Sequence, residues 1–294
     1  MSAEAMLLVG HGSRDAEGNQ EFLRFVERMR FAFPEIAVEA CFIELAEPSI
    51  PQGADRCVAL GARRVVVLPV ILFAASHVKV EIPLKIDQAQ RRHPAVDFRY
   101  GRHLGIHHRI FEILDERLAG AEAALPPGPR AETAVLVIGR GSSDPDANGD
   151  LYKVSRLLWE GRGYGGVETC FIGITHPDFP EGIRRCVALG ARRILALPYF
   201  LFTGVLIRRM RDRLRECQLL YPEIPMRLAG YLGDHPSLVE ILAERRAEAV
   251  NGTALMNCGM CKYRVLLPGQ EAGQNAGAKV CEKVELNALA SSGR

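Results

Sequence analysis

The sequence predicts an α/β protein made twice over, each copy a four-stranded parallel sheet with helices on both faces. Three observations carry that expectation. Arg56-Cys57-Val58-Ala59-Leu60-Gly61-Ala62-Arg63-Arg64 recurs letter for letter as Arg185 to Arg193, and Cys41-Phe42-Ile43 recurs as Cys170-Phe171-Ile172, both at an offset of 129 residues. Within each copy, short β-rich runs alternate with stretches of helical period, and four β-α units in series require a parallel sheet because parallel neighbours need a crossover. Gly61 and Gly190 stand where helix C-termini are expected, a position that favours glycine.

In the first copy the runs 6–9, 38–43, 65–68 and 96–100 read as strands, and 19–33, 49–60, 80–92 and 107–118 as helices. The second copy gives strands at 134–138, 167–172, 194–197 and 226–229, with helices from about Ala147, Phe179, Val205 and Pro236. The expected domains are therefore 1–120 and 134–250. Between them, 121–133 with Pro126, Pro127 and Pro129 reads as a linker, and 251–294 is a Gly-, Asn-, Ser- and Cys-bearing tail of little periodicity, expected to be partly disordered.

Composition narrows the function. At 294 residues and 48% hydrophobic the chain can bury two ordinary cores, and a net charge of +2 gives no global sign of nucleic-acid binding. No apolar run approaches the roughly 20 residues a spanning helix requires, and the N-terminus enters a strand within a few residues, leaving no room for a signal peptide. A cytoplasmic protein without membrane contact is the expectation. Cys41, Cys170, Cys57 and Cys186 lie in repeat-equivalent apolar segments and read as buried thiols rather than disulfides. Arg208, Arg209, Arg211, Arg213 and Arg215 form a local basic run that suits a polyanionic small molecule.

The two copies differ where chemistry is expected. The repeat offset lays Gly10-His11-Gly12-Ser13 on Gly139-Arg140-Gly141-Ser142, carries Glu44 onto Gly173 and carries His77 onto Leu206. His11, Glu44 and His77 each follow one of the first three strands, so all three fall on the sheet edge where open parallel sheets bind ligands. Two imidazoles and a carboxylate there can hold a first-row divalent metal such as Co²⁺, Fe²⁺ or Ni²⁺, or perform acid–base work. The Gly-Ser turns open towards helices and offer backbone N–H groups to a carboxylate. His107 and His235 are repeat-equivalent and precede the last helix of each copy, where a role at the helix N-terminus suffices.

The Gly10-His11-Gly12-Ser13 turn, the Phe42-Ile43-Glu44 strand end and the segment from Ser76-His77 to Ile82-Pro83 resemble the sirohydrochlorin chelatases, class II enzymes that insert cobalt or iron into a tetrapyrrole without ATP. The resemblance covers about residues 5–250 and implies two flavodoxin-like, chelatase-like domains in the family's long form, which adds a cysteine-bearing tail. Short relatives are similar to one half and form the same cleft by dimerising, so here a monomer suffices for one cleft, although a dimer is compatible. It also implies that His11 and His77 bind metal and accept protons, with Glu44 assisting. Because sirohydrochlorin carries eight carboxylates, Arg140 and one or two of the Arg208–Arg215 run, Arg208 and Arg209 first, are expected to bind it together with Ser13 and Ser142.

Cys258-Gly-Met-Cys261 followed by Cys281 has spacing that serves Zn²⁺, an iron–sulfur cluster or a redox pair, and long-form relatives are associated with an iron–sulfur cluster. Two other function classes use the same features: a metal- or tetrapyrrole-binding protein without turnover, and a nucleotide- or sugar-phosphate-binding doubly wound protein. Against the second, the chain has neither Gly-x-x-x-x-Gly-Lys-Ser/Thr nor a complete Gly-x-Gly-x-x-Gly. Between Co²⁺, Fe²⁺ and Ni²⁺ the donor set does not choose.

Overall fold

The computed structural model describes residues 3–254. Cys258, Cys261 and Cys281, and the expectations attached to them, lie outside the described residues. In the first half β1 (Glu4–Gly10), α1 (Ala16–Ala32), β2 (Ala37–Phe42), α2 (Ile50–Ala59), β3 (Arg64–Pro69), α3 (Ile82–Arg92), β4 (Asp97–Tyr100) and α4 (His108–Glu122) follow in order. The second half repeats them as β5 (Thr133–Gly139), α5 (Pro145–Trp159), β6 (Gly166–Phe171), α6 (Phe179–Ala188), β7 (Arg193–Pro198), α7 (Val205–Leu220), β8 (Met226–Leu228) and α8 (Pro236–Asn251). Each half forms one parallel sheet, ordered β2-β1-β3-β4 and β6-β5-β7-β8.

Local chemistry sets the element ends. Asp15 caps α1 by accepting from the Glu17 amide at 3.1 Å, and its repeat partner Asp144 caps α5 through the Asp146 amide at 3.0 Å. Gly61 and Gly190, just past α2 and α6, take φ of +88° and +90°, a conformation that disfavours any residue with a Cβ. β1 and β5 are central strands covered on both faces, and their residues Met6–Val9 and Val135–Ile138 are fully buried.

Packing departs from the sequence repeat in one respect. Helices α2 and α3 cover the outer face of the first sheet and α6 and α7 that of the second, while α1, α4, α5 and α8 fill the space between the sheets. Within that shared layer the last helix of each half has changed places. α4 packs on β7 and β8, burying Ile110, Ile113, Leu114 and Leu118 in the core that holds Leu195 and Leu197; α8 packs on β3 and β4, with Leu238, Ile241 and Leu242 in the core that holds Val66 and Leu68.

A reciprocal pair of histidines fastens the exchange. His107 caps α4 by accepting the Arg109 amide on Nδ1 at 3.2 Å, which leaves the proton on Nε2 to donate to Glu244 of α8 at 2.9 Å. His235 does the same for α8, accepting the Ser237 amide at 3.2 Å and donating to Glu116 of α4 at 3.1 Å. The fully buried Arg245 of α8 also donates to the carbonyls of His103 at 3.2 Å and Leu104 at 3.0 Å in the first half. No helix among the described residues is long and apolar enough to cross a membrane.

Candidate active site

β1 lies between β2 and β3, so the connections leaving its C-terminal end and that of β3 diverge and open a crevice. His11 is the first residue past β1, Glu44 stands two residues past β2, and His77 begins the helical segment after β3. One ligand atom from each lies within 4.8 Å of the others. The imidazole centroids are 4.9 Å apart with planes at 82°, and Glu44 Oε1 is 3.7 Å from His11 Nδ1.

The hydrogen bonds fix the tautomers. His11 Nδ1 is 3.1 Å from the Gly12 carbonyl, which can only accept, so Nδ1 carries the proton and Nε2 the lone pair. His77 Nδ1 is 2.7 Å from Glu81 Oε2, which likewise leaves Nε2 as the electron-pair donor. Burial lowers the His11 pKa below the ordinary imidazole value of 6.5; the Gly12 carbonyl and Glu44 work against this, while His77 and Arg140 reinforce it. The ring is therefore neutral at pH 7 and available to bind a cation or take a proton.

Glu81 is the site residue that sequence reasoning missed. Residues His77–Glu81 form a single π-helical turn, closed by the Ile82 amide on the His77 carbonyl, ahead of α3. The sequence placed His77 in a loop and the helix from residue 80. Pro83 has no N–H to give to the carbonyl four residues back, and the wider turn accommodates that missing bond. Burial opposes ionisation of Glu81, but hydrogen bonds from His77 and from Lys85, 2.8 Å away, outweigh it and hold the pKa at about 2. That pKa lies below the unfolded value of 4.5, so the pairing stabilises the fold above pH 4.5 and the contribution is lost as pH falls towards 2. A His-x-x-x-Glu spacing on one helix face was the available signal.

The π-turn is tied to the opposite lobe. Lys79 Nζ binds Asp144 at 2.6 Å and Asp146 at 2.7 Å at the N-terminus of α5. Across the cleft, Arg140 Nη1 donates to His11 Nε2 at 3.0 Å. Between the walls is a cavity of about 460 Å³, within the range of small-molecule sites, lined by both Gly-x-Gly-Ser turns and by apolar groups including Phe73, Tyr199 and Phe202. Phe73 from the first half stacks on Tyr199 from the second, with centroids 5.1 Å apart and planes 10° apart. Leu45, half-exposed at the rim next to Glu44, has φ of +62°, an uncommon conformation for a branched residue.

The expected substrate contacts divide. Ser13 and Ser142 line the cleft, but each hydroxyl accepts the amide two residues on, at 3.0 Å in both halves, and keeps its own proton to donate. The Ser142 amide is taken by Asn148 Oδ1 at 2.9 Å, so the expectation that it binds a carboxylate is corrected. The structure does not bring Arg208 and Arg209 to the cleft walls. Arg208 spans the lobes to Asp15, 2.5 Å away, and Arg209 reaches the Ile172 carbonyl at 3.5 Å. Arg213 and Arg215 pair along their own helix with Glu216 and Asp212, because a helix of 3.6 residues per turn cannot aim all five inward.

A model of the CbiX family matches residues 5–121 and again residues 134–249. The chain is 48% identical to a sirohydrochlorin cobaltochelatase of Priestia megaterium over 89% of its own length and 85% of the relative's. It is 36% identical to a sirohydrochlorin ferrochelatase of the same organism, over 82% of this chain and 89% of that one. Among solved structures it is similar to the sirohydrochlorin chelatase SirB from Bacillus subtilis subspecies spizizenii in complex with cobalt, with 29% identity, a TM-score of 0.71, and coverage of 84% of this chain and 96% of that one. With one family model matched twice, once by each half, and relatives aligned across both lobes, the chain belongs to the CbiX family, the sirohydrochlorin chelatases.

Proposed function

We propose that the protein is a sirohydrochlorin cobaltochelatase, inserting a divalent metal into sirohydrochlorin without ATP in cobalamin or siroheme biosynthesis. Co²⁺ is the first choice and Fe²⁺ or Ni²⁺ the alternatives. The observation that carries this reading is the convergence of two imidazole Nε2 lone pairs and a carboxylate on one wall of an inter-lobe cleft whose opposite wall has none of the three. Metal insertion exchanges one M²⁺ for two pyrrole N–H protons, so the protein must present the metal and accept protons from one face of a flat ring. His11 and His77 can do both through Nε2, and Glu44 adds the negative charge that favours cation and imidazolium alike. Glu81 holds the His77 ring in the required tautomer.

The macrocycle lies against the apolar lining, with carboxylates meeting Arg140 and the hydroxyl protons of Ser13 and Ser142; Arg208 and Arg209 belong to a more distant rim. One chain supplies both walls, so a monomer suffices. A reducing compartment such as the cytoplasm suits the buried free thiols of Cys41, Cys57, Cys170, Cys186 and Cys217. On spacing alone, Cys258, Cys261 and Cys281 are assigned to an iron–sulfur cluster or zinc that is dispensable for insertion. Anaerobic incubation with sirohydrochlorin and each metal in turn, followed by the ring's visible spectrum, tests the function. We expect catalytic turnover with Co²⁺ and no ATP requirement; tight binding of ring and metal without turnover would make the protein a carrier.

A further inference from the structure

We infer that Arg140 caps the metal-accepting nitrogen of His11 in the ring-free protein and is drawn away by a carboxylate of the tetrapyrrole, so that arrival of the ring opens the metal site. The inference rests on the function proposed above for its two ligands, but its physical core is a single contact. His11 Nδ1 is committed to the Gly12 carbonyl at 3.1 Å, which leaves one lone pair on the ring, at Nε2. Arg140 Nη1 stands 3.0 Å from that atom. A guanidinium can only donate and stays charged, so it occupies the lone pair that a metal ion would need and places a positive charge beside the incoming cation. Metal and Arg140 cannot share His11.

The geometry also shows why the cap is weakly held. Arg140 is exposed, and among the described residues it has no carboxylate at ion-pair distance, whereas Lys79 and Arg208 each reach an aspartate of the opposite half. Its partner is an imidazole nitrogen, a poorer acceptor for a guanidinium than a carboxylate. A ring carrying carboxylates into the cleft offers the better partner. Arg140 comes from the second Gly-x-Gly-Ser turn, at the position equivalent to His11, so the two repeat-equivalent residues meet across the cleft.

Because coupling free energies are reciprocal, a ring that removes the cap strengthens metal binding, and a metal that displaces Arg140 frees it to bind the ring. Metal held on the ring-free protein remains weak, which limits loss of the site to whatever divalent ion is abundant.

Anaerobic titration of the full chain with Co²⁺ alone, read by the cobalt visible absorption, tests this without turnover. Arg140→Ala should bind Co²⁺ more tightly than the parent, by roughly 5- to 150-fold, the usual span of site-to-site coupling. Arg140→Gln, which keeps an N–H donor but loses the charge, should fall between them and provides a second variant if Arg140→Ala melts early by circular dichroism. His11→Ala should weaken binding, and Arg140→Ala in that background should restore little, because the effect passes through His11. Structural damage would lower affinity, so a gain is diagnostic. Unchanged or weaker binding in both folded Arg140 variants would overturn the inference, as would an equal gain with and without His11, which would reduce Arg140 to a distant charge. A parent that binds Co²⁺ as expected but never metallates the ring would reject the proposed function and leave the cap standing.

Discussion

The two walls of the cleft are the same fold with different chemistry, and the difference is deeper than three substitutions. On the first wall Glu44 donates its amide to the His11 carbonyl at 3.1 Å and extends a side chain over the site. On the second, Gly173 runs so close to the Arg140 carbonyl that an added Cβ would lie 2.4 Å from it. On the first, His77 rides on a π-turn; on the second, Leu206 lies in the first turn of a regular helix entered through Gly204. Leu45 is held at φ of +62°, whereas among non-glycine residues it alone of the described positions has a positive φ, so its repeat partner Ile174 does not. The second wall has relaxed into ordinary backbone and become a surface to hold a ligand against the first.

The sharpest way to break this comparison is to remove the chemistry from the first wall. His77→Ala or His11→Ala should lower metal insertion by about 100-fold or more, the usual contribution of a positioned acid–base group, with the melting curve little changed. Near-parental turnover in both would mean that the walls do not differ in function. A smaller effect is expected from Glu81→Gln. The amide cannot hold His77 in one tautomer by charge, so cobalt affinity should drop roughly 10- to 100-fold in an equilibrium titration, with the imidazole still present.

A pH series refines the account of His11. Its lowered pKa means that the neutral form persists below pH 6.5, so the acid limb of cobalt binding should lie beneath that value. Removing the Arg140 charge takes away one of the influences that lower it, and the limb of Arg140→Ala should move upwards, towards 6.5. Glu81, at about 2, should add no inflection in the working range. The smallest effect is expected from the most elaborate variant. Arg140→His, Gly173→Glu and Leu206→His together should yield no second cobalt site by binding stoichiometry, because residue 173 lacks room for a side chain. Two bound cobalt ions would show that the second wall lost only its donors.

Much of this molecule was legible in its letters. The alternation of periods and the 129-residue repeat supplied the strands and helices in order, and the sheet-edge rule put His11, Glu44 and His77 on one rim. The exchange of α4 and α8 was not legible, since an apolar stripe such as Ile110, Ile113, Leu114 and Leu118 records that a helix is buried and not which sheet buries it. Glu81 escaped because a helix read from residue 80 leaves His77 in a loop, so the spacing of four between them does not register as one helix face; the π-turn ahead of Pro83 extends the helix back to His77. Of the arginine run on α7, the two expected at the cleft, Arg208 and Arg209, lie off its walls, and the rest form an outer face. Acids three residues away, Glu216 after Arg213 and Asp212 before Arg215, were the sign that those two arginines are paired along the helix.

The exchanged helices have a consequence for how such a protein can be assembled from half-length pieces. A single repeat folding alone would leave the apolar face of its last helix without a sheet and its own sheet without a helix, since each half completes the other. Two separate repeats could satisfy both needs only by meeting, with an affinity that falls on dilution. Joining them through the ten or so residues after α4 replaces that encounter with a fixed local concentration, commonly in the millimolar range for short tethers. Once partnership no longer depends on encounter, the two copies are no longer bound to be identical, and one can carry the donors while the other presents an arginine at the equivalent position.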